Sequence, residues 1–253
     1  LALVPFYGSG VISLLSAPDY SSASVVNAMK VLQILNMAGG LLLPAIIFMW
    51  LCTPGFERFA RLNTVNPFVM VLLSFILMLV AQPVIGWTNE LNSHLTLPGG
   101  LSFIENWMKS TERQGELITE AFLSTTSING LFVNIFMIAI LPAFAEEILF
   151  RGAIASLLKD STKNVHVAVF LSSFIFAAIH LQFYGFLPRF LLGMALGYLF
   201  FWSGSLWLPI VAHFTNNFLS VIVEFLYRRG YIHTNADNFG MNNTVWLALV
   251  SFI

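Results

Sequence analysis

The sequence predicts an all-α fold, a polytopic transmembrane helical bundle carrying one extramembrane amphipathic helical segment, and three observations support it. Mean hydropathy is +0.83 over 253 residues, well above the usual range of soluble domains. Charged residues make up only 9% of the chain against 58% hydrophobic ones. Apolar runs of about 20 residues, the length that crosses a hydrocarbon core of ~30 Å, recur along it.

The balance of charge narrows the partners. A formal net charge of -1 with no basic block gives nucleic acid nothing to bind, so the expected partners are the lipid bilayer and whatever the bundle interior accepts. One cysteine, Cys52, excludes an internal disulfide framework and a cysteine-rich metal site. The terminal stretches "LALVPFYGSG" and "TVWLALVSFI" read as parts of longer apolar segments.

In chain order, residues 31–52 form the first complete apolar run and read as a crossing. A basic hairpin with Arg58 and Arg61 follows, then a second crossing over residues 67–87 that ends in the interfacial aromatic Trp87. Residues 88–127 change character: Glu90, Glu105, Glu112, Glu116 and Glu120 stand against Lys109 and Arg113, and "LPGG" signals a turn. This segment is expected to hold one or two amphipathic helices, with Phe103, Ile104, Trp107 and Met108 facing lipid headgroups. The chain thus divides into residues 1–127, with N-terminal crossings and the amphipathic segment, and residues 128–253, a helical core.

That core is expected to contain apolar segments over residues 128–158, 165–183, 186–202 and 208–227. The first is too long for one straight crossing, since about 31 residues at ~1.5 Å each reach ~46 Å. Pro142 is expected to break or kink it, which would put the acidic residues that follow into the first turns of a second half-helix. Pro209 marks the start of the last segment. Gly193 and Gly197 make a small-xxx-small helix contact. If the helices alternate, Lys159 and Lys163 share a side with Arg58 and Arg61, and Arg228 and Arg229 lie opposite.

Within "AEEILFRG" three charges, Glu146, Glu147 and Arg151, fall within six positions. Each costs ~2.5 to 3.5 kcal/mol near mid-bilayer on insertion scales, so the three must face the bundle interior. Glu147 and Arg151, four apart, make an ion pair, which is a sufficient structural reason for both. Glu146 points about 100° away from Glu147 and has no such partner.

Polar groups recur on later segments. Phe176 and His180 are one turn apart near a helix end, as are His213 and Asn217. A lone histidine or asparagine is ordinary packing or interhelical glue, Asn216 included, but three segments each contributing a polar cluster point to a site. His213 and Asn217 offer donors in one direction, as a developing oxyanion needs, and Glu146 offers a general base with His180 sharing the water. Ser127, Ser172, Ser173, Ser203 and Ser205 lack a motif resembling a serine nucleophile beside its base, and no His-Glu-x-x-His occurs. Zinc held by Glu146, His180 and His213 is a second chemical reading. A proton- or ion-coupled transporter is a third, and a non-catalytic immunity or binding membrane protein a fourth. Gln182, Tyr184 and Arg189, just past His180, read either as substrate contacts or as an interfacial loop anchor.

"EEILFR" fits Glu-Glu-x-x-x-Arg, "FAAIH" fits Phe-x-x-x-His and "HFTNN" fits His-x-x-x-Asn, in that order on successive hydrophobic segments. Over residues 128–227 the chain resembles the CAAX-processing and bacteriocin-processing (CPBP, or Abi) family of intramembrane proteases. The resemblance implies hydrolysis of a membrane-associated peptide or protein by a glutamate-activated water, without cofactor and with zinc only as the alternative. It implies Glu146 as the catalytic glutamate, His180 as its partner on the water, His213 with Asn217 as the oxyanion pair, and Glu147 and Arg151 as supporting residues. The expected location is a multi-pass position in the cytoplasmic membrane of a bacterium.

Overall fold

The computed structural model describes residues 18–52, 62 and 67–233. Arg58 and Arg61 and both terminal stretches lie outside them. Among the described residues the secondary structure is entirely helical.

Helix α1 is continuous through Ala23–Leu35, a π-helical stretch Asn36–Leu42, and Leu43–Cys52. Helix α2 is Phe68–Ser93, six residues longer at its C-terminal end than the sequence suggests, and α3 is Ser102–Leu123. Helix α4 spans Ile128–Thr162, α5 Val165–Ala178, α6 Phe186–Ser203 and α7 Trp207–Arg228. Five of these, α1, α2, α4, α6 and α7, are long and apolar enough to cross a membrane, which makes this an integral multi-pass membrane protein. Helix α5 has 14 residues, or ~21 Å, and is shorter than the expected segment over 165–183. It stops at Ala178 because the chain turns there: Leu181 takes a left-handed conformation (φ +52°), and a short 3₁₀ turn, Phe183–Gly185, leads into α6.

The expectation of a break at Pro142 is corrected by the structure. Helix α4 continues through the proline as alternating α and π turns, Ile135–Ile140 and Ile148–Ala155 being π-helical. Ile140, just before the Pro142-containing α segment Leu141–Glu147, is itself helical (φ -71°, ψ -58°). Glu146 and Glu147 therefore do not sit at a free helix N-terminus. What Pro142 removes is the N–H that would serve the Ile138 carbonyl in a regular α ladder, and the Asn217 side chain on α7 donates to that carbonyl instead, at 3.0 Å.

Packing follows the rules of a lipid solvent. Large apolar side chains such as Phe68, Leu73, Phe170 and Phe174 face outward, while small residues let helices approach. A Cβ added at Gly193 would lie 3.0 Å from the Ser173 Cβ, and one at Gly197 would lie 3.1 Å from Val169, so both glycines are consumed by the α5–α6 contact. Helix α7 lies against α2, α4 and α6. One core cluster joins Met49, Ala143, Phe200 and Ile210; a second joins Met78, Leu196 and Ala212.

The amphipathic segment is a single helix, α3, preceded by a 3₁₀ turn at Gly99–Leu101. Phe103 and Trp107 are 75% and 50% exposed, as expected of headgroup contacts, while Ile104 and Met108 are half-buried. Its C-terminal end is tied to the bundle by buried polar bonds: Lys30 Nζ donates to Asn134 Oδ1 at 2.8 Å, and Asn134 Nδ2 donates to the Phe122 carbonyl at 2.8 Å. Asn92 at the end of α2 holds the α5–α6 connection, donating to the Phe183 carbonyl at 2.7 Å and accepting from the Leu187 N–H at 3.0 Å.

Candidate active site

Helix α4 passes its acidic pair through the middle of the bundle, and the two carboxylates do different things. Glu147 is 0% exposed, and its Oε1 accepts two bonds of 2.7 Å, one from Arg151 Nη1 on the next turn and one from His213 Nδ1 on α7. The i, i+4 ion pair read from the sequence is present, and so is a histidine contact that spacing alone could not reveal. Arg151 is fixed on its other side: Nη2 donates to the Gly193 carbonyl at 3.0 Å, and its Cζ lies 4.9 Å from the centre of the Phe176 ring. The small residue at 193 thus brings α6 close enough to α5 and exposes a main-chain acceptor to the guanidinium.

Glu146 projects the other way. It is 8% exposed, and its Oε2 lies 3.7 Å from His213 Nε2, beyond hydrogen-bond distance. Because the Nδ1 proton of His213 is directed at the Glu147 carboxylate, the ring presents Nε2 to Glu146. His180 is held by a comparable device. Its Nδ1 donates to the Phe176 carbonyl at 2.6 Å, capping the end of α5, and this leaves Nε2 with a lone pair. The Phe176 ring is a shared wall, 4.9 Å from the His180 ring and 6.1 Å from that of His213. This explains the Phe-x-x-x-His spacing physically: the phenylalanine supplies the carbonyl, the packing face and the cation–π surface at once.

Asn217 lines the site one turn beyond His213, and one of its two N–H groups is spent on Ile138. Its Oδ1 accepts from Asn216 Nδ2 at 3.2 Å, and Asn216 Oδ1 accepts from Gln82 Nε2 at 3.1 Å, so an amide chain runs from α2 through α7 to the Pro142 turn. Gln82 was not among the residues singled out by sequence; the only signal was a lone amide beside Pro83 in an otherwise apolar crossing.

Glu146, His180, His213 and Asn217 all line one cavity of about 1650 Å³, whose walls also include Arg189 on α6 and Glu112 on α3. Glu147 and Arg151 stand behind that wall. Glu112 accepts from the Tyr184 N–H at 3.3 Å; burial pushes its carboxyl above the usual carboxylate range, opposed by that bond and by the nearby Arg189. Among the described residues no three His, Cys, Asp or Glu side chains converge to hold a metal ion.

Residues 128–219 match the family model described as Rce1-like, type II CAAX prenyl endopeptidase Rce1-like, an interval that contains all three sequence motifs and bears out the resemblance they carry. The chain is also similar to the uncharacterized protein YpbD of Bacillus subtilis (strain 168), at 33% identity over 85 residues, which is 32% of this chain and 40% of that protein. The aligned part therefore spans less than half the length of that relative. No solved structure matches the chain.

Proposed function

We propose that this protein, whose residues 128–219 match the Rce1-like family model, is an intramembrane endopeptidase that hydrolyses a membrane-associated peptide or protein with a glutamate-activated water and no metal. The observation that carries the reading is the division of labour between adjacent carboxylates. Glu147 is committed through Oε1 to Arg151 and His213 and lies away from the cavity wall, whereas Glu146 reaches the cavity with no hydrogen bond of its own.

In the proposed reaction a water lies between the Glu146 carboxylate and His180 Nε2. Glu146 removes a proton as the water oxygen forms a bond to the scissile carbonyl carbon. The resulting oxyanion is met by the second N–H of Asn217 and by His213 Nε2–H. In this step His213 donates as an imidazolium, its ring oriented by the Glu147 carboxylate on Nδ1 much as a buried aspartate orients the histidine of a serine protease triad. Collapse breaks the C–N bond, the proton on Glu146 passes to the leaving amine, and the products are a carboxylate and an amine.

The test is cleavage of a membrane-peptide library by the purified protein in detergent. Glu146→Gln keeps volume and removes the base, so it should insert and fold normally while turnover falls by at least the ~10²- to 10⁴-fold attributed to a general base. A folded Glu146→Gln protein that cleaves at the wild-type rate would falsify the assignment.

A further inference from the structure

Arg189 is a cation whose hydrogen-bond partners are all neutral. It stands in the first turns of α6 and lines the cavity that holds Glu146, His180 and Asn217. Its Nη2 donates to Gln182 Oε1 and its Nη1 to the Gln182 carbonyl at 3.4 Å. The other arginines on the cavity wall are matched by carboxylates, Arg113 by Glu116 at 3.1 Å and Arg228 by Glu224 at 2.6 Å. Among the described residues no carboxylate oxygen lies within 4.0 Å of Arg189. This half-buried guanidinium has lost part of its hydration, and Glu112 and Glu146 act on it only from beyond 4.0 Å, so a directly bonded anion offsets the cost.

The surroundings are shaped for that guanidinium. Gly185 has φ -112°, open to any residue, yet a Cβ there would overlap Arg189 Nη1, so what the position supplies is space. Gln182, which holds the guanidinium, follows His180 by two residues, a stretch of chain that spans at most ~7 Å. The guanidinium is thereby tethered beside the histidine proposed to hold the water.

We propose that Arg189 binds a carboxylate of the peptide substrate, either its free C-terminus or an acidic side chain near the scissile bond, and so sets where the peptide is cut. A guanidinium fork matches a carboxylate with two parallel bonds, which fixes orientation as well as affinity. The inference rests on the peptidase reading above, in which the cavity receives a peptide.

Binding, not turnover, tests it. Full-length Glu146→Gln protein in detergent is titrated with three fluorescent octapeptide pools: one free of acidic residues with a free C-terminus, the same pool amidated, and the amidated pool carrying one glutamate. The free-carboxylate or the glutamate pool should bind about tenfold to a hundredfold tighter than the neutral pool, and which of them does identifies the source of the carboxylate. Adding Arg189→Gln should erase the difference, and Arg189→Lys should restore part of it. Gly185→Ala keeps the charge but displaces it and should also shrink the preference, which covers the case of a poorly folded Arg189→Gln. Equal or absent binding of all three pools, or a preference that survives in folded Arg189→Gln, overturns the inference. Because the probe is read without cleavage, a wild-type protein that cleaves nothing but keeps this Arg189-dependent preference would sink the peptidase reading alone.

Discussion

Replacing Glu147 by glutamine removes one charge from a cluster in which every member leans on it. The Glu147 and Arg151 side chains are 0% and 2% exposed, so water screens neither. After the substitution Arg151 retains the Gly193 carbonyl and the Phe176 face, and His213 Nδ1 faces an amide. Removing one partner of a buried pair costs about 3–5 kcal/mol. The glutamine oxygen still accepts a bond, which places this case at the low end, about 3 kcal/mol. At roughly 2–4 °C per kcal/mol for a chain of this size, melting in detergent should fall by about 6–12 °C. The double variant Glu147→Gln/Arg151→Met removes the orphaned guanidinium, and apolar replacement of a buried pair is commonly neutral, so most of the lost melting temperature should return. Peptide cleavage should not return, because the carboxylate that orients His213 through Nδ1 is still missing. Thermal denaturation and a cleavage assay on the wild type, both singles and the double decide it. A single variant that melts within about 2 °C of wild type, or a double no more stable than Glu147→Gln, would refute the argument.

Asn217→Ala should lower turnover by ~10²- to 10³-fold, as loss of one oxyanion donor does, and should also cost about 1–3 kcal/mol by orphaning the Ile138 carbonyl. Pro142→Ala should recover stability specifically in that background, since residue 142 regains an N–H; strictly additive melting temperatures would count against the link. Gly193→Ala should cost about 1–3 kcal/mol because its Cβ would meet Ser173 at 3.0 Å, whereas Gly152→Ala, whose nearest neighbour is Met49 Sδ at 3.4 Å, should be tolerated in the same melting assay. Exhaustive chelation with metal analysis should leave cleavage intact; zinc whose removal abolishes turnover and whose return restores it would promote the metal reading of Glu146, His180 and His213.

The helical, membrane-spanning fold is written along the chain, because an apolar run long enough to cross lipid has few other ways to satisfy its backbone. The candidate site residues were legible for a related reason. Glu146, Glu147 and Arg151 are too costly to face lipid, and His180, His213 and Asn217 stand at one-turn spacings that local helix geometry makes readable. Boundaries were less legible: α2 extends past Trp87 because Asn92 has partners on the α5–α6 connection, and α5 stops early because His180 caps it. Lys30, Gln82 and the positions of Asn134 and Asn92 gave no local pattern, since their bonds join residues about 90 to 134 positions apart.

The sequence alone therefore determined the fold class, the inward-facing charges and the three motifs, all of which depend on periodicity and on the free energy of placing groups in lipid. Only the tertiary structure decided which carboxylate is committed and which reaches the cavity, because the two differ by 100° of helix rotation and by what α7 brings opposite them. It alone decided that Pro142 bends no break into α4, since the donor that replaces its missing N–H comes from Asn217 on another helix. It alone also gave Arg189 the neutral Gln182 as its direct partner, for pairing in a bundle is settled by which helices touch, and no spacing within one helix encodes that.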